Sequence, residues 1–419
     1  MPRSYKVKNI NLAKQGDLRI NWATKEMPVV AGLSREFKKT KPLKGLTVAA
    51  CLHITKETGV LLLALRAAGA KVVAAGSNPL STQDPVAASL AKQGVHVFAW
   101  KGQNNKDYYE CLNKALDYRP HITIDDGADL ISLIHAKRRE LLKTVRAGQE
   151  ETTTGVIRLR AMAKDGALEY PVIAINDTPT KHLFDNYYGT GQSTIDAILR
   201  ATNILLAGKK VVVAGYGNCG SGIALRAKGM GAHVLITEVD AVKALKATMD
   251  GFKVLPMATA AKVGEVFITA TGDKNVIRGE HVKTMKDGAI LCNAGHFNVE
   301  INLNEVNKLT KKSFAVNEHL EQHTLKNSKT IFVLSEGRLV NLAAAEGHPS
   351  SVMDMSFAGQ LLTTAWLAKH AKTLAPGVHE VPDEIDVKVA TLKLKSLGIA
   401  IDQLTPEQQA YLSSWQEGT

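Results

Sequence analysis

One stretch constrains this chain more than any other: residues 209–240, KKVVVAGYGNCGSGIALRAKGMGAHVLITEVD. A β-branched run leads into Gly215, Gly217 and Gly220, and a helical pattern follows. The first glycine permits a tight turn, the second lets a pyrophosphate approach the backbone, and the third lets helix and strand pack closely. The helix N-terminus then faces the phosphates. The next strand pattern ends in Glu238, at about the 20-residue spacing at which a carboxylate meets the ribose hydroxyls and repels a 2′-phosphate. Three glycines alone would be turn glycines. Strand, glycines, helix, strand and terminal acid together predict a dinucleotide unit that prefers NAD to NADP.

Strand–helix alternation extends to both sides of this run. Before it, strand patterns fall at 46–52, 71–75, 95–100, 122–124 and 172–175. Helical segments lie between them, as where Tyr108, Cys111, Leu112, Ala115 and Leu116 share one helix face. A helix predicted over 193–207 opens a second series, with strands at 210–214, 233–237, 266–271, 289–293, 313–316 and 331–334. Such alternation implies parallel sheets with helices on both faces. The 419 residues suffice for two or three domains at about 150 residues each. The expected fold is α/β, two doubly wound Rossmann-like domains with a helical C-terminal segment. Beyond Gly337 the pattern turns helical, with Ala358, Leu361, Leu362, Ala365 and Trp366 on one face. Residues 382–419 read as a helix and a polar end that pack on another unit or another protomer.

Composition excludes several classes. The net charge is +12, but the lysines are scattered, aromatics are 5%, and no basic run has interleaved aromatics, so no nucleic-acid partner is expected. Cys51, Cys111, Cys219 and Cys292 lie far apart without paired spacing. That pattern argues against a zinc knuckle or disulfide scaffold and for a reducing compartment; no metal is expected. The longest apolar run, 60–65, is cut by Arg66, well short of the ~18 residues of a membrane span. The N-terminus has no apolar signal-peptide stretch, so a cytoplasmic protein with no membrane partner is expected.

Polar clusters follow the predicted strand ends of the first unit, where open α/β sheets bind ligands. His53, Thr55 and Glu57 follow the first strand and Asp125-Asp126-Gly127 the fourth. Residues 150–155, EETTTG, form a polar, turn-like run, and Asn176-Asp177 ends the fifth strand. Lys181 and Asp185 come next, four apart and so on one face of a helix. In the second unit His296 stands in CNAGHFN, and His348 follows in EGHP. Singly, the carboxylates read as caps or solvated turns, the lysine pair as a surface ion pair, and the histidines as turn or cap groups. Gathered at strand ends beside a dinucleotide site, they predict an active site between two units. On these grounds the chain reads as an NAD-dependent oxidoreductase for a polar small molecule.

The runs CLHITKETGVLL, STQD, DDGADL, EETTTGV, NDTPTKHLFDNYYGT, GYGNCGSG, CNAGHFNVE and EGRLVNLAAAEGHPS together resemble the S-adenosylhomocysteine hydrolase family, in that family's order. The resemblance implies reversible cleavage of S-adenosylhomocysteine to adenosine and homocysteine. Oxidation of the ribose 3′-hydroxyl to a ketone acidifies the 4′-hydrogen, homocysteine leaves by elimination, water adds at C5′, and the ketone is reduced again. NAD is held throughout and shows no net change.

The resemblance implies roles residue by residue. Lys181 and Asp185 match the pair beside the ribose hydroxyls, with Lys181 the base for oxidation, its proton loosened by the nicotinamide cation. Glu151 matches the carboxylate on the 2′- and 3′-oxygens; Asp126 and His53 match proton carriers near C4′ and C5′; His296 lies near the sulfur or water. Thr55, Glu57 and His348 match adenosine-binding positions. For NAD the matches are Thr152, Thr153, Thr154 and Asn186, then Gly215, Gly217, Asn218, Cys219, Gly220, Ser221 and Gly222 of the turn. Glu238, Lys243, Ala294, Gly295, His296 and Asn341 complete them.

Two departures stand out. Many longer members end in a lysine- and tyrosine-containing tail that reaches a neighbouring protomer's NAD, whereas this chain ends YLSSWQEGT. The first unit is also shorter, as in compact members, some of which act on S-inosylhomocysteine. Glu57, an acceptor for an amino group, favours adenine, and Lys243 stands where longer members carry asparagine. The implied division is a discontinuous substrate domain (1–185 and 342–380), an NAD domain (186–341) and an oligomerisation segment (381–419) in a homotetramer. The alternatives are an S-inosylhomocysteine hydrolase and a simple NAD-dependent dehydrogenase.

Overall fold

A computed structural model describes residues 4–416. The first group of strands is β1 (Thr47–Cys51), β2 (Lys71–Ala75), β3 (His96–Phe98), β4 (Ile122–Asp125), β5 (Ala147–Glu150) and β6 (Pro171–Ala174). The second is β7 (Lys210–Ala214), β8 (His233–Thr237), β9 (Lys253–Val254), β10 (Val266–Thr269), β11 (Ala289–Asn293), β12 (Thr310–Asn317), β13 (Leu320–Leu325) and β14 (Thr330–Leu334), with β15 (Gly377–His379) near the end. They form two sheets, ordered β15-β6-β5-β4-β1-β2-β3 and β12-β13-β14-β11-β10-β7-β8-β9. The first is parallel throughout, and the second is parallel except across β12, β13 and β14.

Alternation along the strands explains the layers. In β1, Val48 and Ala50 face one core while Ala49 and Cys51 face the other; in β7, Val211 and Val213 part from Val212 in the same way. Both faces are covered by helices, so central strands such as TVAAC, VFIT and AILCN are apolar and buried along their whole length. Strand order reverses between β1 and β4 in one sheet and between β7 and β10 in the other. A crevice opens outside the strand ends at such reversals, and the clusters expected from sequence follow these strands.

Several elements differ from expectation. The helix expected over 193–207 is Thr190–Thr202: Asn203 turns left-handed at φ 51° and its N–H bonds Leu199 O, so the apolar residues beyond it leave the helix. β5 falls in a stretch that sequence leaves without a strand, because AGQE carries no β-branched residue, yet it lies between β4 and β6 and is buried throughout. The helix Asp383–Ser396, placed by sequence in an oligomerisation segment, lays Ile385 and Val389 into the first unit's core. Its Lys393 lies 3.0 Å from Asp354, which also accepts N–H bonds from Val29 and Val30. Beyond it Leu397, Ile401 and Trp415 are exposed, and residues 417–419 lie outside the described range. Among the described residues no helix is long and apolar enough to cross a membrane.

Candidate active site

The two strand-end crevices merge into one cleft of about 1580 Å³. At its dinucleotide end the glycines divide their labour. A Cβ at Gly215 (φ 94°) would lie 2.7 Å from Ala270 O, and one at Gly220 would lie 2.0 Å from Gly215 O. At Gly217 nothing stands within 4 Å, so the turn is open where a phosphate would pass. Glu238 accepts the N–H groups of Tyr216 (2.7 Å), Val239 (2.7 Å) and Asp240 (3.0 Å), which fixes its carboxylate at the rim. Thr154 and Asn341 line the cleft, and their buried Oγ1 and Oδ1 have no partner within the protein. Open space at Gly217, two orphaned polar atoms and a fixed carboxylate fit a dinucleotide.

Of the residues assigned by resemblance, all line this cleft except Gly220 and Gly222. Those two serve close packing instead: a Cβ at Gly222 would meet Tyr187 O at 2.0 Å. Lys243, at the rim, pairs with Asp240 at 3.7 Å.

In the middle of the cleft lies a charged cluster. A short helical turn, Pro179–Lys181, runs into a π-helical turn, His182–Gly189, of the kind that gathers at functional sites. Lys181 Nζ is 2.7 Å from Asn186 Oδ1, 3.4 Å from Asn176 Oδ1 and Glu151 Oε1, and 3.6 Å from Asp185 Oδ1. Asp185 also receives Ser356 Oγ (2.7 Å) and His348 Nδ1 (2.9 Å). Gly189 makes this possible, since a Cβ there would be 2.9 Å from the His348 ring.

Burial alone would loosen the proton of Lys181, but Asp185, Glu151 and Asp126 outweigh it and hold the pKa above the ordinary lysine value. In the protein alone the carboxylates therefore set the balance, and the expected loosening rests on the nicotinamide cation. The two carboxylates diverge. Burial pushes Glu151 up to about 8 against the pull of Lys181, while Lys181 and His348 overcome burial and hold Asp185 below the carboxylate range. Glu151 can thus exchange a proton near neutrality, while Asp185 stays charged.

A second cluster faces it. His53 Nε2 is 3.3 Å from Asp126 Oδ2, and His296 Nδ1, from the second unit, is 3.5 Å from Asp126 Oδ1. His53 Nδ1 meets Ser81 Oγ at 2.7 Å. Burial lowers His53 to about 4 despite Asp126, so its ring is neutral. The three donor atoms lie within 4.8 Å of one another, close enough to pass a proton or to hold a cation. Gly127 admits His296: a Cβ there would be 2.4 Å from its Nε2.

At the third end Glu57, 2% exposed, accepts Ser350 Oγ at 2.5 Å and lies 3.2 Å from Lys56 Nζ. Thr55 caps the helix Lys56–Ala67. His348, assigned to adenosine, also serves the Asp185 cluster. The sequence places Asn176 in a strand-end cluster without giving it a role, and gives no indication of Ser356 and Gln360 as site residues. Gln360 Nε2 donates to Glu151, and both it and Ser356 lie on the helix Ser350–His370. A signal was present: the polar residues Asp354, Ser356, Gln360, Thr363 and Thr364 recur within the largely apolar middle of the helix, and all are buried.

Two parallel-sheet units, one with a dinucleotide turn and the other with a buried lysine–carboxylate cluster beside it, define a nicotinamide-dependent enzyme of the two-domain α/β class. Comparison with known proteins narrows the class. Residues 4–147 match the family S-adenosyl-L-homocysteine hydrolase, and residues 186–347 match its NAD binding domain. An S-inosyl-L-homocysteine hydrolase of Methanocaldococcus jannaschii is 55% identical over 415 residues, 99% of this chain and 100% of that one. An adenosylhomocysteinase of Gloeothece citriformis is 54% identical over 416 residues, covering 99% and 97%, and one of Saccharolobus solfataricus is 54% identical over 417 residues, covering 99% and 100%. The chain belongs to the S-adenosyl-L-homocysteine hydrolase family, and its cofactor is NAD. The fold is shared with a dipicolinate synthase chain from Bacillus halodurans (13% identity, TM-score 0.50, 77% of this chain and 99% of that one).

Proposed function

We propose that the protein catalyses the reversible hydrolysis of S-adenosylhomocysteine to adenosine and homocysteine. The observation that carries this is the pairing, in one cleft, of a lysine–carboxylate cluster beside the dinucleotide turn with a separate histidine–aspartate cluster. One suits oxidation of a hydroxyl; the other suits proton transfer at a neighbouring carbon.

The turn at Gly215 and Gly217, Glu238, residues 152–154 and Asn341 would hold NAD, which when bound supplies reversible hydride acceptance at the ribose 3′-carbon. Lys181 takes the 3′-hydroxyl proton and releases it to solvent afterwards, helped by the positive charge of bound NAD, and Asp185 and Asn186 orient its amino group. Glu151 holds the ribose oxygens. Asp126, between two histidines, removes the 4′-proton from the ketone, and His296 and the neutral ring of His53 carry protons to the departing sulfur and from the attacking water. Closure of His296 onto Asp126 across the cleft excludes water while the ketone exists.

We infer further that residues 1–185 and 342–380 form the substrate domain and 186–341 the NAD domain, the helix Asp383–Ser396 joining the former. A cytoplasmic homotetramer acting on small molecules fits the exposed apolar groups of the C-terminal segment, such as Leu397, Ile401 and Trp415.

A second reading has its own support. The 55%-identical Methanocaldococcus protein is named for the inosyl substrate, and Glu57 can accept either the amino group of adenine or N1–H of hypoxanthine. Thiol release from S-adenosylhomocysteine, run beside S-inosylhomocysteine with NAD present, tests both. Faster release from the adenosyl compound is expected; faster release from the inosyl compound moves the substrate and keeps the mechanism. Accumulation of free reduced nicotinamide in step with product would instead identify a simple dehydrogenase.

A further inference from the structure

Glu150 is a buried ionisable group that the proposed chemistry leaves idle, and its partners all lie in the site. It ends β5 opposite Asp125, the last residue of β4. Its Oε1 accepts the N–H groups of Gly127 (2.8 Å) and Thr152 (2.9 Å), and its Oε2 accepts that of Ala128 (2.9 Å). These donors belong to two loops. One presents Asp126 to the histidines; the other presents Glu151 and the threonines of the dinucleotide end.

The two loops depend on Glu150 unequally. The second has other ties: Glu151 N–H bonds Asp125 O at 2.9 Å, and Thr153 Oγ1 donates to Asn176 at 3.1 Å. The tip of the first turns left-handed at two successive residues, Gly127 (φ 106°) and Ala128 (φ 61°), and directs both their N–H groups to Glu150. A non-glycine residue holds that conformation only under constraint. On the other side Arg158 donates to Gly127 O and, at 2.8 Å, to Asp129. The helix carrying Arg158 packs directly on the carboxylate, since a Cβ at Gly155 would lie 2.2 Å from Glu150 Cδ. The tip is thus held between Glu150 inside and Arg158 outside.

We propose that Glu150 is a positioning residue for the elimination half of the reaction: it fixes the 126–128 tip so that Asp126 stays between His53 and His296. The inference rests on the hydrolase reading above. Glu150→Gln keeps the size and one acceptor but sets an amide N–H against the Ala128 N–H, donor to donor.

The test uses NAD-loaded wild type, Glu150→Gln and Arg158→Gln. Ribose oxidation is read as reduced nicotinamide formed on mixing with adenosine. Elimination is read as exchange of the 4′-hydrogen into D2O and as thiol release from S-adenosylhomocysteine. In Glu150→Gln, exchange and thiol release fall about 100-fold, the loss expected for a catalytic group misplaced by about 1 Å, while oxidation changes by less than about threefold. Arg158→Gln shows the same split at about fivefold. Equal losses in both halves, or none in either, overturn the proposal, because a merely structural carboxylate would not separate them. If Glu150→Gln does not fold, Arg158→Gln decides on the same criterion. An active wild type with no split overturns this inference alone; no thiol release from wild type overturns the hydrolase reading with it.

Discussion

The two clusters of the cleft are built in opposite ways. The lysine cluster draws Lys181, Glu151, Asp185, Asn176, Asn186 and Gln360 from one continuous packing of β5, β6, the π-helical turn and the helix Ser350–His370. Its charges balance internally, and it does not wait for the second sheet. The histidine cluster is shared: His53 and Asp126 stand on the first sheet, while His296 arrives after β11 of the second. The first is complete beside one sheet, and the second is completed only by a residue from the other. Oxidation needs Lys181 and the NAD held by the second unit but not His296, so loss of His296 alone should spare it more than the steps at C4′ and C5′.

The largest effect tests the preformed cluster. Lys181→Ala removes the proton acceptor and leaves Asp185 and Glu151 facing each other. Reduced nicotinamide formed from bound adenosine should fall about a thousandfold. Bound NAD, measured after denaturation, should stay near one per chain. Equal nicotinamide reduction in variant and parent would remove Lys181 from the oxidation step.

Next is the shared cluster. His296→Ala opens the space that Gly127 leaves for the ring and strips one partner from Asp126. Thiol release should fall about a hundredfold while adenosine oxidation falls less than about fivefold. If both fall together, His296 belongs to the oxidation machinery and the contrast between the clusters fails.

How much of this is legible in sequence follows the same contrast. Strands β2, β7, β8 and β11 occur at the expected bounds because each is an apolar, β-branched run bounded by charged or turn residues. The dinucleotide turn is legible because its glycines meet a local demand. Lys181 and Asp185 are visible as a pair four apart, but not the charge balance around them, which comes from Glu151, just past β5 and 30 residues earlier, and from His348 and Ser356 far later. β5 is unreadable by propensity: AGQE is buried through its partners, with the Gln149 side-chain oxygen accepting from Thr364 Oγ1 (2.8 Å) and Glu150 accepting backbone N–H groups. The polar stripe of the helix Ser350–His370 is masked by its apolar face. Tertiary pairing decides these cases, and no local period encodes it.

The smallest effect concerns the charge balance itself, and pH reads it. Lys181 must lose a proton to act, and Glu151 is one of the carboxylates that hold it. Above about pH 8, where Glu151 is ionised, Glu151→Gln removes that negative charge while preserving the shape of the side chain. The ammonium is then less stabilised, so its pKa falls and the oxidation rate rises at a lower pH than in wild type. A displacement of about one unit, a tenfold change in the proton equilibrium, is the scale of one such neighbour. The profile of adenosine oxidation against pH measures it directly. The same substitution also removes the group that burial lifts to about 8, so a limb of the wild-type profile near that pH should vanish. No shift of the Lys181 limb would mean that Glu151 acts as a neutral donor to the ribose and leaves the proton of Lys181 untouched. The Asp185 side of the cluster would then carry the whole charge, a narrower version of the preformed half of the cleft.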